Sequence, residues 1–381
     1  MQQNQHTVKF HGTLGECFKI YFLNLLLIIC TLGIYSFWAI INLKRYFYQN
    51  MEVNGYRFNF HATPIQYLIG FLIALAFYFV FVFLMYFAPK IAPIFILIAF
   101  CFLPWLIVKS WQFHMRMTSL NGVHFSFRGD IGRAYWVLLI APLLLILGFV
   151  IVFAILAGGI VGPMISGGDF SLSVIAIICL LFIAGIPPIS AILNSMGLTY
   201  FVNNIFFGEQ KFQGEFKKSS LIKIEYIAWL CQAPFLFAIF KFYFDLLTYV
   251  VYVIYYPDIY LNLIIQTTFY LILSIIFFVV IGSAYRMVAI RNFAFNQTSI
   301  NGIQLKSTLQ VLPFIWLMVS NLFMIIFTVG LTIPFAQYRF VKYLADNSHL
   351  VGDFKIEQGD EDVNTSEANP EFVTDAIIST L

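Results

Sequence analysis

The side chains best suited to gripping a ligand in this chain are two asparagines and five bases. Asn24 and Asn321 stand inside the two terminal apolar segments, and Arg45, Arg116, Arg286, Arg291 and Lys342 stand where apolar runs give way to polar loops. Guanidinium and ammonium groups at a rim form charge-assisted hydrogen bonds with a carboxylate or phosphate. Amides deeper down can hydrogen-bond what enters further, so the set suits an anionic or amphipathic molecule. The plainer reading is that each asparagine bonds a neighbouring helix, for about 0.6–2 kcal/mol, and that the bases only set orientation. Lys241 and Asp245, four residues apart, can pair on one helix face near an interface.

No catalytic constellation stands out. There is no H-E-x-x-H, no P-loop, no G-x-S-x-G and no carboxylate cluster within the apolar runs. The chain is therefore read as a non-enzyme that needs no metal and no cofactor. The glycine-rich stretch at 158–168 lacks the Lys-Ser or Lys-Thr of a phosphate cradle and reads as a flexible external turn, with Gly158 and Gly162 as a weak helix-packing signal. His11 and His61 share a repeat position that Arg128 and Gln213 fill elsewhere, which favours interface polarity over metal ligation. Cys17, Cys30, Cys101, Cys179 and Cys231 form no C-x-x-C and read as small core residues.

The elements that must carry these residues follow from composition. Of 381 residues, 61% are hydrophobic and 10% charged, against roughly 25% charged in a soluble domain. So few charges cannot coat a soluble core of this size, which excludes a soluble enzyme, a disordered chain and a nucleic-acid reader. The fold class expected is an all-α polytopic membrane protein. Apolar runs fit spans of about 20 residues at 65–88, 91–108, 134–157, 172–193, 226–250 and 263–284. They pair into three hairpins whose turns are "APKIAP" at 88–93, "AGGIVGPMISGGD" at 157–169 and "YYPDIY" at 255–260. Segments 20–43 and 310–338 stand at the ends.

Charge sets the sides. The loops 44–64, 109–133, 194–225 and 285–309 hold 14 bases, whereas the hairpin turns and their flanks hold only Lys90 and Lys241. Those loops are expected in the cytoplasm. A cytoplasmic N-terminal segment (1–19), a membrane domain (20–345) and an acidic tail (346–381) complete the division. The tail, with nine acids against Lys355 alone, is expected to be disordered.

The loops repeat. A base, four residues and Asn recur as Arg45 to Asn50, Arg116 to Asn121, Arg291 to Asn296 and Lys342 to Asn347, each followed by a glycine (Gly55, Gly122, Gly302, Gly352). The third loop departs, with Thr199 in place of the base. Short strand-like pieces follow as "FNFHAT" (58–63) and "FSFRGD" (125–130), with looser copies "VKFHGT" (8–13), "QKFQGE" (210–215) and "IQLKST" (303–308). These are expected to form β-ribbon-like repeats on the cytoplasmic side. The terminal segments also match each other at a constant offset of 297, pairing Asn24 with Asn321, Thr31 with Thr328, Gly33 with Gly330 and Tyr46 with Tyr343. Both are read as broken or re-entrant segments folded at Thr-x-Gly, tolerated only where protein or a cavity shields the backbone.

The stretch from Phe10 to Gly70, with its "TLGIYSFWA" core and the Arg-Tyr-Phe that follows, resembles the YjgN-like family of bacterial inner-membrane proteins of unknown function. The spacing of spans is compatible over about residues 8–352. The resemblance implies location and multi-pass character and no activity; it transfers no catalytic residue. The function expected is transport or handling of a small anionic or amphipathic ligand or lipid. The alternative is a non-catalytic scaffold recruiting partners through its loops and tail. The partners expected are anionic lipid head groups at the loops and a protein at the tail, with no nucleic acid.

Overall fold

The computed structural model describes residues 5–165 and 172–352. Residues 353–381 of the expected acidic tail and the end of the glycine-rich stretch lie outside these residues, whereas 346–352, also assigned to the tail from sequence, end a helix and form a strand because that strand pairs with the N-terminal one. The described chain is a run of five helical hairpins. They are α1 (Leu14–Cys30) with α2 (Ser36–Gln49), α3 (Pro64–Phe87) with α4 (Ala92–Arg116), α5 (Ile131–Tyr135) and α6 (Ala141–Ile165) with α7 (Leu172–Val202), α8 (Lys218–Tyr252) with α9 (Pro257–Asn296), and α10 (Val311–Phe327) with α11 (Ile333–Asp346). A π-helical stretch, Trp136–Ile140, joins α5 to α6. Because α6 runs on to Ile165, the first half of the expected glycine-rich turn is helical instead.

Six helical segments, from α3 to α9, are long and apolar enough to cross a membrane. Their outward rows of Phe, Ile and Leu are exposed because lipid, not protein, is their solvent. The chain is a polytopic membrane protein. The terminal hairpins differ. Helices of 17 and 14 residues make up each of them, and at about 1.5 Å per residue neither arm reaches across a hydrocarbon layer roughly 30 Å thick. Each reverses at the expected Thr-x-Gly: Leu32 and Gly33 have φ of 50° and 95°, Val329 and Gly330 of 50° and 90°. The Thr31 and Thr328 hydroxyls donate to the carbonyls of Leu27 and Met324, both at 2.7 Å, and close the first arm.

Between hairpins lie β-ribbons: β2 (Met51–Val53) with β3 (Tyr56–Phe60), β4 (Thr118–Leu120) with β5 (Val123–Phe127), β6 (Ile205–Phe207) with β7 (Gln210–Gly214), and β8 (Thr298–Ile300) with β9 (Ile303–Ser307). Three turn through Asn-Gly with positive φ at both residues, at Asn54-Gly55, Asn121-Gly122 and Asn301-Gly302. That is the turn whose twist matches an antiparallel ribbon. The fourth uses Gly208. The fifth ribbon comes from the two ends of the chain, where β1 (Gln5–Phe10) pairs with β10 (Ser348–Val351). Each ribbon also pairs with the next, and the ten strands close into a barrel. The expected separate ribbons are therefore one closed sheet.

The sequence repeat needs a corrected register. The residue just before each ribbon is Asn50, Met117, Asn204, Gln297 or Asn347, so Asn121 belongs to a hairpin turn and Asn296 is one residue early. Asn50, Asn204 and Asn347 donate to carbonyls four residues back, at 2.8, 2.6 and 2.9 Å, and end their helices. The constant feature is an aromatic ring four residues earlier: Tyr46, Phe113, Tyr200, Phe293, Tyr343. Its hydroxyl, where present, donates to the carbonyl that precedes the first arm of the same hairpin: Tyr46 to Thr13 at 2.7 Å, Tyr200 to Asp130 at 2.8 Å, Tyr343 to Gln310 at 3.2 Å. The buried clusters gather at this junction of helices and barrel, as with Ile41, Phe60, Tyr67 and Phe113.

The β1–β10 pairing puts both ends of the membrane domain on the barrel side. A compartment-specific reporter placed after Gly352 should read the same side as one in the β4–β5 turn at Gly122, and the opposite side from one at Lys90. Agreement with Lys90 would mean that the terminal segments cross singly.

Candidate functional site at the barrel axis

Strand period sends alternate side chains inward, and the pairing register decides which of them meet. At each of the five seams between ribbons the register pairs two large apolar residues: Val8 with Val53, Phe58 with Leu120, Phe125 with Phe207, Phe212 with Ile300, and Leu305 with Leu350. All ten, one from every strand, line a single cavity of about 300 Å³ in the barrel. Phe125 sits centrally among the rings, 4.9 Å from Phe207 and 6.4 Å from Phe58. A constriction lined this way sheds water and blocks ions, while accepting an acyl or aryl group.

Cations stand at the helix side of this ring. The Arg291 guanidinium donates through Nη2 to Ser348 Oγ at 2.9 Å and lies over the Phe295 ring at 4.5 Å. Ser348 and Phe295 both line the cavity. Arg291 Nε is buried without a hydrogen-bond partner, an arrangement that costs about 1–3 kcal/mol unless an acceptor arrives. Lys44, six residues before the helix-ending Asn50 as Arg291 is before Gln297, occupies the same repeat position. Its ammonium donates to the Tyr67 hydroxyl at 2.8 Å and lies 5.6 Å from the Phe60 ring. Phe60 is the next residue on the Phe58 face of β3. Sequence reasoning passed over Lys44 because the base-to-Asn repeat selected Arg45; the corrected register would have selected it.

Of the seven residues expected to form a site, Arg291 alone is placed against the lumen by these contacts. Arg45 donates to the Ala62 carbonyl at 2.8 Å and holds the loop into α3. Arg116 ends α4 with an exposed side chain, and Lys342 is exposed on α11. Asn24 accepts from Asn42 at 3.4 Å, within the first hairpin. Asn321 donates to the Ala336 carbonyl at 3.2 Å and accepts from Arg339 at 2.8 Å, within the last. Asn42 and Arg339 keep the offset of 297, so the two asparagines do the same job in each copy. No hydrogen bond joins them to each other among the described residues.

Arg286 belongs to a separate network. It donates through Nε to Glu225 Oε2 and through Nη2 to Gln232 Oε1, both at 2.9 Å, while Asn194 donates to the other Glu225 oxygen at 3.0 Å. Glu225 is 2% exposed, and the cluster ties α7, α8 and α9 together. Glu225 escaped the sequence reading because it ends a loop by composition while lying inside α8. The Lys241–Asp245 pair does not form among the described residues; Lys241 lies by the Phe242 ring instead. Of the two histidines sharing a repeat position, His11 meets Glu52 at 3.0 Å and His61 meets Ser119 at 2.8 Å.

The chain also matches known sequences along most of its length. The model of a family described as bacterial protein of unknown function, DUF898, covers residues 5–375. The chain belongs to the DUF898 family. Curated proteins similar to it, each named inner membrane protein YjgN, come from Escherichia coli O157:H7, Escherichia coli K12 and Salmonella typhimurium LT2. The first two are 30% identical over 375 residues, covering 93% of this chain and 90% of each relative. The third is 30% identical over 366 residues, covering 92% and 89%. No solved structure matches this DUF898 chain.

Two predictions follow from these contacts. A Cβ at Gly282 would overlap the Gln232 side chain, so Gly282→Ala should break the Gln232–Arg286 contact and cost about 1–3 kcal/mol, read as a lower melting temperature in detergent. His349 bonds Thr7 and Thr308 at 3.2 Å across the β1–β10 closure, and burial, then Lys306, holds its pKa below the ordinary value. Its folded pKa is the lower one, so its contribution is complete above about pH 6.5 and is lost as pH falls through that value towards the folded one. Hydrogen exchange in β1 and β10 should therefore accelerate on acidification in wild type, and the pH dependence should flatten in His349→Gln.

Proposed function

We propose that this protein transports or holds a small anionic or amphipathic molecule, or a lipid, at the barrel axis, without catalysis, in the bacterial inner membrane. The barrel faces the cytoplasm in this reading. The support is the placement of 14 bases in the ribbons and helix ends on the barrel side, against Lys90 and Lys241 towards the other, and the names of the relatives. The two terminal hairpins, too short to cross, enter and leave on the barrel side.

One observation carries the proposal: ten inward apolar side chains form a dry ring in the barrel, with the unpartnered Nε of Arg291 at its helix side. The ring resists water and ions, so the barrel holds its barrier while no ligand is present. An anionic group arriving from the helix side gains Arg291 Nε as a donor and loses less by desolvation than it would at an apolar wall. The attached apolar part, where there is one, enters the ring.

A scaffold role is the second reading. Arg45 and Arg286 favour it, because both are engaged in internal bonds and leave fewer bases for a ligand.

Leu305→Ser with Leu350→Ser, a directly paired couple, should hydrate the ring. The leak of chloride from proteoliposomes should rise about tenfold, the effect of about 1.4 kcal/mol on a barrier. Adding Arg291→Gln should remove the preference for chloride over potassium in that leak. An unchanged leak from a folded double variant would take the ring off any conduit and leave the scaffold.

A further inference from the structure

A second cavity, outside the barrel, has a different chemistry. It is a polar cleft of about 590 Å³ between the end of α7 and the loop leading into α8. Lys211 and Gln213 on β7 and Ser299 on β8 form one wall. They are the outward neighbours of the lumen residues Phe212 and Ile300. Arg133, from the first turn of α5, and Thr199 and Glu215 also line the cleft. Arg133 and Lys211 have no ion pair among the described residues, and Glu215 is the one carboxylate on the lining.

The repeat explains why the cleft exists here. Five residues before the helix-ending position the first hairpin has Arg45 and the fourth has Asn292, and both reach across to the loop ahead, bonding the carbonyls of Ala62 and Leu309 at 2.8 Å. The third hairpin has Thr199, whose hydroxyl turns back to Ser195 O at 2.7 Å, while Ser195 bonds the equivalent loop carbonyl, Phe216 O, at 2.8 Å. The long crossing side chain is replaced by two short ones, and Thr199 lines a space left open between two cations.

The level of the cleft identifies what can reach it. Arg133 belongs to the opening turn of the apolar segment Ile131–Gly159, Trp136 one turn on is 50% exposed, and α8, the next apolar helix to start from the barrel, begins at Lys218. Basic groups and an exposed indole where spans begin mark the head-group layer. We infer that this cleft binds the singly charged phosphate of an anionic membrane lipid between Arg133 and Lys211. Two cations against the Glu215 carboxylate leave one positive charge to be matched, and the side chains of Gln213 and Ser299 supply neutral donors to the phosphate oxygens.

The test is native mass spectrometry of the full chain released from nanodiscs containing phosphatidylglycerol and phosphatidylcholine. Wild type should retain phosphatidylglycerol preferentially, and Arg133→Gln with Lys211→Gln should lose about tenfold of that preference, as one or two charge-assisted bonds would give. The equal charge change Lys9→Gln with Lys306→Gln, elsewhere on the barrel wall, should keep it. Thr199→Arg adds a positive charge yet should also lose the lipid, because the new side chain fills the cleft as Arg45 does in the first hairpin. Retention equal to wild type in the Arg133–Lys211 variant, or tighter retention in Thr199→Arg, would overturn the site. Displacement of the lipid by inorganic phosphate, with the same dependence on Arg133 and Lys211, would overturn the lipid as its occupant in favour of a soluble phosphate.

Discussion

Ten strands of three to six residues have no stability as separate ribbons in water, since an isolated hairpin is marginal even when longer. Their stability rests on closure. Every ribbon lends its edges to two neighbours, and no strand is left as an open template. Closure in turn depends on one ribbon that has no local turn, β1 with β10, which joins residues 5–7 to residues 349–351. All the other ribbons form across two-residue turns. The structure thus puts its largest loop-closure entropy into a single step, and the Thr7–His349–Thr308 contacts stand at that step.

Closure also dictates what the barrel can contain. With five seams in register, one residue of each strand is aimed at the axis at the same height, and a slip of one residue at any seam would turn that strand's apolar row to water. Aromatic and branched residues at these ten positions therefore serve the fold and the lumen together. The helices hang from the same ring. Tyr46, Tyr200 and Tyr343 each bond the carbonyl at the start of their own hairpin, so the spacing of two helices is set where they meet the sheet. Further into the membrane the pairs diverge: α8 and α9 are joined through Gln232, Arg286 and Glu225, whereas α3 and α4 enclose an apolar cavity of about 420 Å³ lined by Phe77, Phe95 and Trp105.

Much of this was legible in the sequence. Composition and run length gave away the spans, and the offset of 297 exposed the matched terminal hairpins with their Thr-x-Gly folds, which the structure bends at Leu32-Gly33 and Val329-Gly330. The F-x-F pieces were visible as strands, but their closure was not. A ribbon formed from Gln5–Phe10 and Ser348–Val351 leaves no local turn signal, because its strands lie at opposite ends of the chain. The register failed for a related reason. Asn serves at helix ends (Asn50, Asn347) and in tight turns (Asn54, Asn121, Asn301), so aligning on Asn mixed two jobs and hid Lys44 beside Arg45. Glu225 was missed because hydropathy placed it in a loop, although α8 begins seven residues earlier.

Departures from five-fold regularity are where the chemistry gathers. The position of Lys44 and Arg291 carries Trp111, Leu198 and Val341 in the other three hairpins, so a base stands there only in the first and fourth. The position of Arg45 and Asn292 carries Thr199 in the third, which opens the lateral cleft. The first departure leaves Nε of Arg291 without a partner beside two lumen residues, Ser348 and Phe295, and the second leaves a gap between Arg133 and Lys211. A buried donor without an acceptor destabilises the fold it sits in, so a ligand has more to gain at Arg291 Nε than at the asparagines, whose side chains the hairpins already engage.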